Sequence, residues 1–355
     1  MEFVSEIATT IVAQFQKPTL AFLIGGMMLA ALGSKLEVPQ PVYKFIVLLL
    51  LLKIGLGAGI SVREADFQAL AGPAVAAVLL GVLIVVVGGY TLARWPGVSR
   101  VDGMATAGLF GAVSASTLAA SMAVLDGEGI AYEGFIGALY PFMDVAALVT
   151  AIVLARMSST EHVETVVAAS GAATLTSGGG GGRLRSGVDL DMLRGILVDT
   201  ARSPAISALL LGIVIGVFAR PEAIYESFYE PLFRGLLSIL MLIMGMEAWA
   251  RLAELRKVAH AYLLYGLAAP ILHGLMGFGV GLALHHLTGF SGGGVVLLSV
   301  MAASSSDISG PPTMRGALPE ANPSAYIGAS TGLGTPVAIL SIPLFMALAD
   351  ALIGL

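Results

Sequence analysis

The stretch Ser304-Ser305-Ser306-Asp307-Ile308-Ser309-Gly310-Pro311-Pro312-Thr313 interrupts a strongly apolar segment, and Gly111-Ala112-Val113-Ser114-Ala115-Ser116-Thr117 interrupts another one about half the chain earlier. Serine, glycine and proline at this density favour caps and turns over a continuous helix. In lipid every backbone N–H and C=O needs a partner, so broken helix is tolerated only where it lines a cavity. Two breaks at matching places in two halves are typical of a secondary transporter with its substrate site at the membrane midplane.

The composition is that of an integral membrane protein in contact with lipid. Of the 355 residues, 57% are hydrophobic and 12% are charged, and the mean hydropathy is +0.92. Soluble domains carry about 25% charged residues. Cysteine is absent, which excludes disulfides and thiolate metal sites. The net charge of −5 offers no basic field for nucleic acid.

The apolar segments predict an all-α polytopic membrane protein. A helix that crosses about 30 Å of hydrocarbon needs about 20 mostly apolar residues, and fewer where it is packed inside protein. Ten segments meet this requirement. They are residues 18–34, 41–58, 70–94, 103–125, 135–156, 203–219, 231–250, 258–286, 293–316 and 325–354.

The two halves of the chain resemble one another. Pro18–Gly26 is similar to Pro204–Gly212, and Pro41–Phe45 is similar to Pro231–Gly235. Because five spans per half is an odd number, the second half must cross the membrane in the opposite sense. The sequence therefore predicts a 5+5 inverted repeat whose two broken helices cross near the midplane. The expected divisions are 1–156 for the first repeat, 157–202 for a linker and 203–355 for the second repeat.

The positive charges predict the orientation. Of the 18 Lys and Arg residues, Lys53 lies within a span. If the N-terminus is outside, Lys17, Arg63, Arg220 and Arg234 lie outside and the remaining thirteen lie inside. This bias places both termini outside and the linker in the cytoplasm. The linker contains a flexible glycine-rich tether, followed by an amphipathic stretch expected to lie at the membrane interface.

The breaks carry the residue types of a small-anion site. A broken helix leaves unpaired N–H groups and a positive dipole end, and serine hydroxyls add further donors. Because neither break contains Lys or Arg, we expect a singly charged anion rather than a phosphate. The alternative is that these small residues only allow close helix packing. The candidate anion-binding residues are Gly111, Ala112, Ser114, Ser116, Thr117, Ser304, Ser305 and Ser306.

Asp307 is the only acidic residue in the two stretches, and it predicts a cation site. A carboxylate deep in a membrane normally faces a cavity or a partner. Carboxylate, hydroxyl and carbonyl oxygens suit a hard cation such as sodium. The alternatives for Asp307 are a proton carrier and an ion pair with Lys53. We expect sodium to be bound by Asp307, Ser116, Ser305 and Asp144, although a structural hydrogen bond would explain Asp144 equally well.

Five stretches closely resemble the SbtA family of sodium-dependent bicarbonate transporters. The resemblance covers nearly the whole chain and departs only in the linker, which is short and glycine-rich here, whereas family members often carry a long charged insert. The stretches are Ser304–Thr313, Gly108–Ser114, Ala138–Asp144, Arg234–Trp249 and Asn322–Gly328.

The resemblance implies bicarbonate and sodium as substrates, with no cofactor and no catalysis. It also implies a homotrimer in the plasma (inner) membrane of a bacterium, with a role in carbon concentration. Each protomer would divide into a core domain, residues 70–156 and 258–355, and a gate domain, residues 18–58 and 203–250, moving like an elevator. A cytoplasmic PII-like protein that binds adenine nucleotides would regulate it.

Three other functions remain open at the level of sequence. A symporter of the same architecture for a small organic carboxylate would need a larger pocket or a basic anchor. A sodium/proton antiporter would use Asp307 without an anion site. An intramembrane hydrolase would need a Ser–His pair, for which His273 is the only histidine well inside a span.

Overall fold

The computed structural model describes residues 18–64, 67–169, 194–195, 197–198, 201–255 and 260–355, and these contain helices but no strand. The predicted all-α class is confirmed for this part of the chain. The glycine-rich tether, the terminal stretch before Pro18 and most of the amphipathic stretch after the tether lie outside the described residues. The helices of the first half are α1 (Pro18–Ala31), α2 (Gln40–Glu64), α3 (Phe67–Tyr90), α4 (Arg100–Gly111), α5 (Ala115–Glu128) and α6 (Leu139–Ala169).

The second half contains helices of similar length and order. Two π-helical turns, Tyr225–Tyr229 and Gly328–Gly334, precede α8 and α13. Short 3₁₀ turns at Leu92–Arg94 and Gly134–Ala138 occur in the first half. The helices are α7 (Pro204–Phe218), α8 (Glu230–Leu255), α9 (His260–Thr288), α10 (Gly292–Ala303), α11 (Gly310–Ala317), α12 (Pro323–Ile327), α13 (Thr335–Leu340) and α14 (Ile342–Ile353).

Length and hydropathy identify membrane-spanning candidates in seven of the ten expected regions. Among the described residues, seven helical segments are long and apolar enough to cross a membrane: 40–64, 69–94, 100–128, 134–157, 222–250, 260–288 and 323–353. The three remaining expected regions contain the shorter apolar helices α1, α7 and α10, of which α10 covers only the first part of residues 293–316. The seven segments show a multi-pass membrane protein, and the count of ten spans stays a prediction.

Serine caps set where the two interrupted helices begin. Ser99 precedes α4 and its hydroxyl accepts a hydrogen bond from the N–H of Asp102, and Ser291 precedes α10 and accepts one from Gly294. A serine at this position satisfies one of the amide groups that the first turn of a helix leaves unpaired. The two helices that lead into the breaks therefore start in the same way.

Segment 100–128, which contains the first break, lies inside the protein. In its most apolar window 94% of the residues are buried, against 33% for segment 69–94. The neighbours that enclose it include α3, α6 and α10. Because protein rather than lipid surrounds this segment, its irregular backbone can find polar partners.

Two helix pairs pack closely through glycines. A Cβ atom added at Gly26 of α1 would meet the backbone of α8, and one added at Gly245 of α8 would meet the backbone of α1. In the same way, Gly55 of α2 and Gly212 of α7 each face the other helix's backbone. Small residues let transmembrane helices approach closely and gain dispersion energy. The backbones within each of the pairs α1–α8 and α2–α7 therefore lie close together.

Candidate functional site

The first break separates α4 from α5 by three residues, Ala112 to Ser114, in extended conformation at both ends. Ser114 is the cap of α5, and its hydroxyl oxygen accepts hydrogen bonds from the N–H and the Oγ1–H of Thr117, both at 3.0 Å. Gly111 ends α4 where a Cβ atom would press on Val85 and on the carbonyl oxygen of Gly81. The break is therefore held by local capping and by close packing against α3.

The second break spans Ser304 to Ser309, between α10 and α11. The Ser304 hydroxyl donates to the carbonyl of Met301 at 2.7 Å. The Ser306 hydroxyl accepts from the N–H of Gly310 at 2.8 Å and lies 2.9 Å from the Ser309 hydroxyl. Serines thus end one helix and begin the next, which is why the chain can turn here without leaving these groups unpaired.

The two breaks bond directly to each other. The N–H of Ser306 donates to the carbonyl of Leu109 at 2.8 Å, and the N–H of Ser114 donates to the hydroxyl of Ser304 at 3.0 Å. Ser114, Ser304 and Ser306 are fully buried. Stretches nearly 200 residues apart in the sequence therefore meet in the interior. That they form a single shared binding site stays a prediction.

Asp307 meets the start of α5. The Ser116 hydroxyl donates to Asp307 Oδ2 at 2.6 Å. Asp307 Oδ1 is buried and has no hydrogen-bond partner among the described residues. A buried carboxylate oxygen without a partner is costly. The arrangement therefore has an open coordination position beside two oxygen ligands, which suits a hard cation.

Tyr43 of α2 lies beside Ser116 and Asp307. Its hydroxyl interacts with the Ser116 side chain, and the Asp307 carboxylate is close enough to act on it electrostatically. Tyr43 could not be identified from the sequence, because a lone tyrosine in an apolar span carries no distinguishing pattern. Its position puts a polar group of the predicted gate domain against the pair formed by Ser116 and Asp307.

Asp144 holds both breaks from α6. Its Oδ1 accepts from the N–H of Val113 at 3.1 Å, and its Oδ2 accepts from the Ser309 hydroxyl at 3.0 Å. Asp144 is fully buried. Since each oxygen already accepts a hydrogen bond from a break, these contacts favour the structural alternative for Asp144. Its place among the sodium ligands is still an untested prediction.

Ser305 points toward another partner. Its hydroxyl donates to the carbonyl of Ser330 at 3.1 Å and lies 3.2 Å from the hydroxyl of Thr335. Both partners belong to the π-helical turn Gly328–Gly334 and the start of α13. In this arrangement the Ser305 hydroxyl forms its hydrogen bonds within the second half of the chain. Its role in anion and sodium binding stays a prediction.

The alternative ion pair between Asp307 and Lys53 is wrong for this structure. Lys53 Nζ lies 3.1 Å from Glu230 Oε2 and 4.3 Å from the centre of the Phe233 ring. The Lys53 side chain is only 5% exposed. A cation–π contact and a carboxylate together satisfy the buried ammonium group.

His273 is buried in an aromatic cluster and has no serine partner among the described residues. Its ring centre lies 6.2 Å from that of Phe110 and 6.0 Å from that of Tyr265. Within the same described ranges, its Nδ1 has no hydrogen-bond partner. The described contacts thus include no Ser–His pair of the kind that nucleophilic catalysis requires.

Comparison with known proteins places the chain in a family. A family model of the Na⁺-dependent bicarbonate transporter superfamily matches residues 18–350, which include both breaks, Asp144 and Asp307. A search of curated proteins gave no match. Since the family match spans nearly all of the described helices, the protein belongs to the Na⁺-dependent bicarbonate transporter superfamily.

Proposed function

We propose that the protein is a symporter that imports bicarbonate together with sodium across the plasma membrane of a bacterium. The observation that carries the proposal is the hydrogen bond from buried Ser116 to Asp307, whose buried Oδ1 is left without a partner among the described residues where the two breaks meet. Membership of a sodium-dependent bicarbonate transporter family supports the identity of both substrates.

The Ser116 hydroxyl gives a physical reason for the coupling. A hydroxyl has one O–H donor, and Ser116 gives it to Asp307 here. A sodium ion bound at Asp307 would take over this carboxylate and leave the Ser116 donor for an anion. The two ions would also neutralise each other in a site of low dielectric constant, so each favours the binding of the other.

Co-transport also solves the energetic problem of moving an anion inward. A bicarbonate ion that enters a negative-inside cell opposes the membrane potential by about 2.3 kcal/mol per 100 mV. One sodium ion moving with it cancels that charge. The sodium concentration gradient then drives uptake and inorganic carbon accumulation.

The proposed architecture is the 5+5 inverted repeat with two broken helices. Support comes from equivalent contacts in the two halves. Gly26 of α1, in the first half, faces α8 in the second half, and Gly212 of α7, in the second half, faces α2 in the first half. The capped starts of α4 and α10 likewise bond across to the other half. Asp102 of α4 accepts from the N–H of Asn322, and the N–H of Ser291 before α10 donates to Glu133 at 2.6 Å.

We propose that transport is elevator-like. The gate domain would consist of α1, α2, α7 and α8, which pack in glycine-mediated pairs, and the core domain of α3 to α6 and α9 to α14. Both breaks, Asp144 and Asp307 belong to the proposed core, so they would move as one body. Tyr43 of the gate lies beside the site and would separate from it during transport.

Three further proposals rest on the resemblance and the charge distribution. They are assembly as a homotrimer, regulation by a cytoplasmic PII-like protein that binds adenine nucleotides, and a topology with both termini outside. The regulatory contact is tested by measuring whether the purified transporter is retained by immobilised PII-like protein, with and without adenine nucleotides. Failure to bind in all nucleotide states would show that this glycine-rich linker does not support the contact.

Labelled bicarbonate uptake into cells that express the protein tests the function. We expect uptake in sodium medium and little uptake when choline replaces sodium. An excess of small monocarboxylates should not compete, whereas competition would identify an organic carboxylate symporter. Sodium-driven proton release without bicarbonate uptake would identify an antiporter.

A further inference from the structure

A cavity of about 340 Å³ lies between the broken-helix segment and the helices of the proposed gate. Its lining includes Thr19 at the start of α1, Glu128 at the end of α5, and Arg234 and Ser238 near the start of α8. A water molecule occupies about 30 Å³ of liquid, so the space holds about ten waters. A small hydrated ion can therefore enter it.

The cavity lies on the same helix as the candidate site. Its lining begins at Ala123 of α5, seven residues beyond Ser116. At 1.5 Å per residue this is about 10 Å along the helix. The cavity therefore lies at the boundary between the two proposed domains, on the helix that carries Ser116.

The C-terminal end of α5 borders the cavity. It presents carbonyl groups and a negative dipole end. A positive group in the lining would offset this negative potential for an incoming anion.

Arg234 is the positive group in the cavity lining. Its side chain is exposed, and no ion pair to it is found within the part of the chain that the structure describes. An arginine is charged at any physiological pH and binds oxyanions with a planar set of N–H donors. The hydroxyl group of Thr19 is a further donor beside it.

We infer that this cavity is the outer vestibule of the transporter and that Arg234 is its anion-attracting residue. Arg234 holds a small monovalent oxyanion such as bicarbonate before the anion reaches the site at the breaks. The inference rests on the proposed function and adds an access site with its own residue. It assigns Arg234 to substrate capture and leaves sodium binding to Asp307.

Charge-selective labelling tests the vestibule without any transport. Thr19→Cys gives the cysteine-free chain one thiol in the cavity lining. Intact cells are treated with anionic and cationic methanethiosulfonate reagents, and the ratio of the two modification rates is measured. We expect Arg234→Gln to lower the anionic-to-cationic ratio by about threefold to tenfold at low ionic strength, and Arg234→Lys to preserve it.

Arg220 provides the matched control. It is exposed, lies between α7 and α8 and is predicted to face the same side, but it does not line the cavity. Arg220→Gln should leave the labelling ratio unchanged. Equal effects of Arg220→Gln and Arg234→Gln, or no effect of Arg234→Gln, would overturn the inference. Failure of both reagents to reach the introduced thiol from outside would overturn it as well.

Uptake kinetics supply the functional readout. Arg234→Gln should raise the half-saturating bicarbonate concentration about threefold to tenfold, less at high salt, without raising that for sodium. A lower maximal rate with unchanged bicarbonate affinity would contradict a capture role. If the unmodified protein shows no sodium-dependent bicarbonate uptake, the proposed function fails, while the labelling ratio still decides whether Arg234 controls the cavity's charge.

Discussion

Asp144 and Asp307 both meet the breaks, and their hydrogen bonds distinguish their roles. Asp144 accepts one hydrogen bond at each oxygen, from Val113 and from Ser309. Asp307 accepts one from Ser116 and keeps Oδ1 without a partner among the described residues. The unsatisfied oxygen marks the position where an ion would be bound, since a buried polar atom without a partner is otherwise only a cost.

Asp307→Asn should abolish sodium-dependent uptake and leave the fold intact. The amide oxygen can still accept from Ser116, but the negative charge that holds sodium is lost. Removing one partner of a buried charge pair costs about 3–5 kcal/mol, more than about a hundredfold in affinity. The half-saturating sodium concentration and the size-exclusion profile measure the two effects.

Asp144→Asn is the comparison for this variant. We expect it to lower the unfolding temperature more than it changes the sodium requirement, because one bond from each break weakens. If Asp307→Asn kept a normal sodium requirement and Asp144→Asn lost it, sodium binding would have to be assigned to Asp144 and the structural role to Asp307.

Ser116→Ala should weaken the binding of both ions. The substitution removes the hydroxyl that donates to Asp307 and that we assign to bicarbonate in the sodium-bound state. A lost hydrogen bond to a group that stays buried costs about 1–3 kcal/mol, or about fivefold to over a hundredfold in half-saturating bicarbonate. Ser305→Ala should act mainly on stability, since its partners are Ser330 and Thr335. Unchanged affinities for both ions in Ser116→Ala would remove this residue from the site.

The sequence was sufficient to locate the breaks but not to orient their side chains. Ser, Gly and Pro in an apolar run identify the break, because they disfavour helix whatever surrounds them. The direction of each hydroxyl depends on partners far along the chain, such as Thr335 for Ser305. The sequence could not identify the partner of Lys53 for the same reason, since Glu230 lies 177 residues away along the chain (230 − 53).

At the scale of elements, helix α8 contains glycines in opposite environments. A Cβ atom at Gly245 would meet the backbone of α1 at Leu23, whereas one at Gly235 would have nothing within 4 Å. Close approach of α1 and α8 therefore depends on Gly245 and not on Gly235. The two positions make a matched pair within one helix.

Gly245→Ala should separate α1 from α8 and lower stability, while Gly235→Ala should raise it slightly. An added methyl group that forces packed backbones apart costs about 1–3 kcal/mol. A helical Gly→Ala change without a clash gains about 0.5–1 kcal/mol. Thermal unfolding in detergent measures both. Equal effects at the two positions would contradict the packing of α1 on α8.

For the whole molecule, the distribution of Lys and Arg predicts both termini outside and the 157–202 linker inside. Single cysteines test this cleanly in a chain without native cysteine. An impermeant thiol reagent should label a cysteine placed at position 2 in intact spheroplasts and should reach one placed at position 178 only after lysis. The opposite pattern would invert the proposed topology and move the Arg234 cavity to the cytoplasmic side.

The family match accounts for the whole-molecule function, and the sequence alone indicated it through the paired breaks and the resemblance. The inverted repeat, the trimer and the elevator movement are proposals that need an experiment on the assembled protein. The central claim of the proposed function is that sodium and bicarbonate move together through one site.

The most direct test of that claim is a two-way flux measurement with purified protein in proteoliposomes. Labelled sodium uptake is measured with and without bicarbonate, and labelled bicarbonate uptake with and without sodium. We predict that each ion stimulates the uptake of the other and that Asp307→Asn removes both effects. Bicarbonate uptake that proceeds equally well in choline, or sodium uptake indifferent to bicarbonate, would contradict the account.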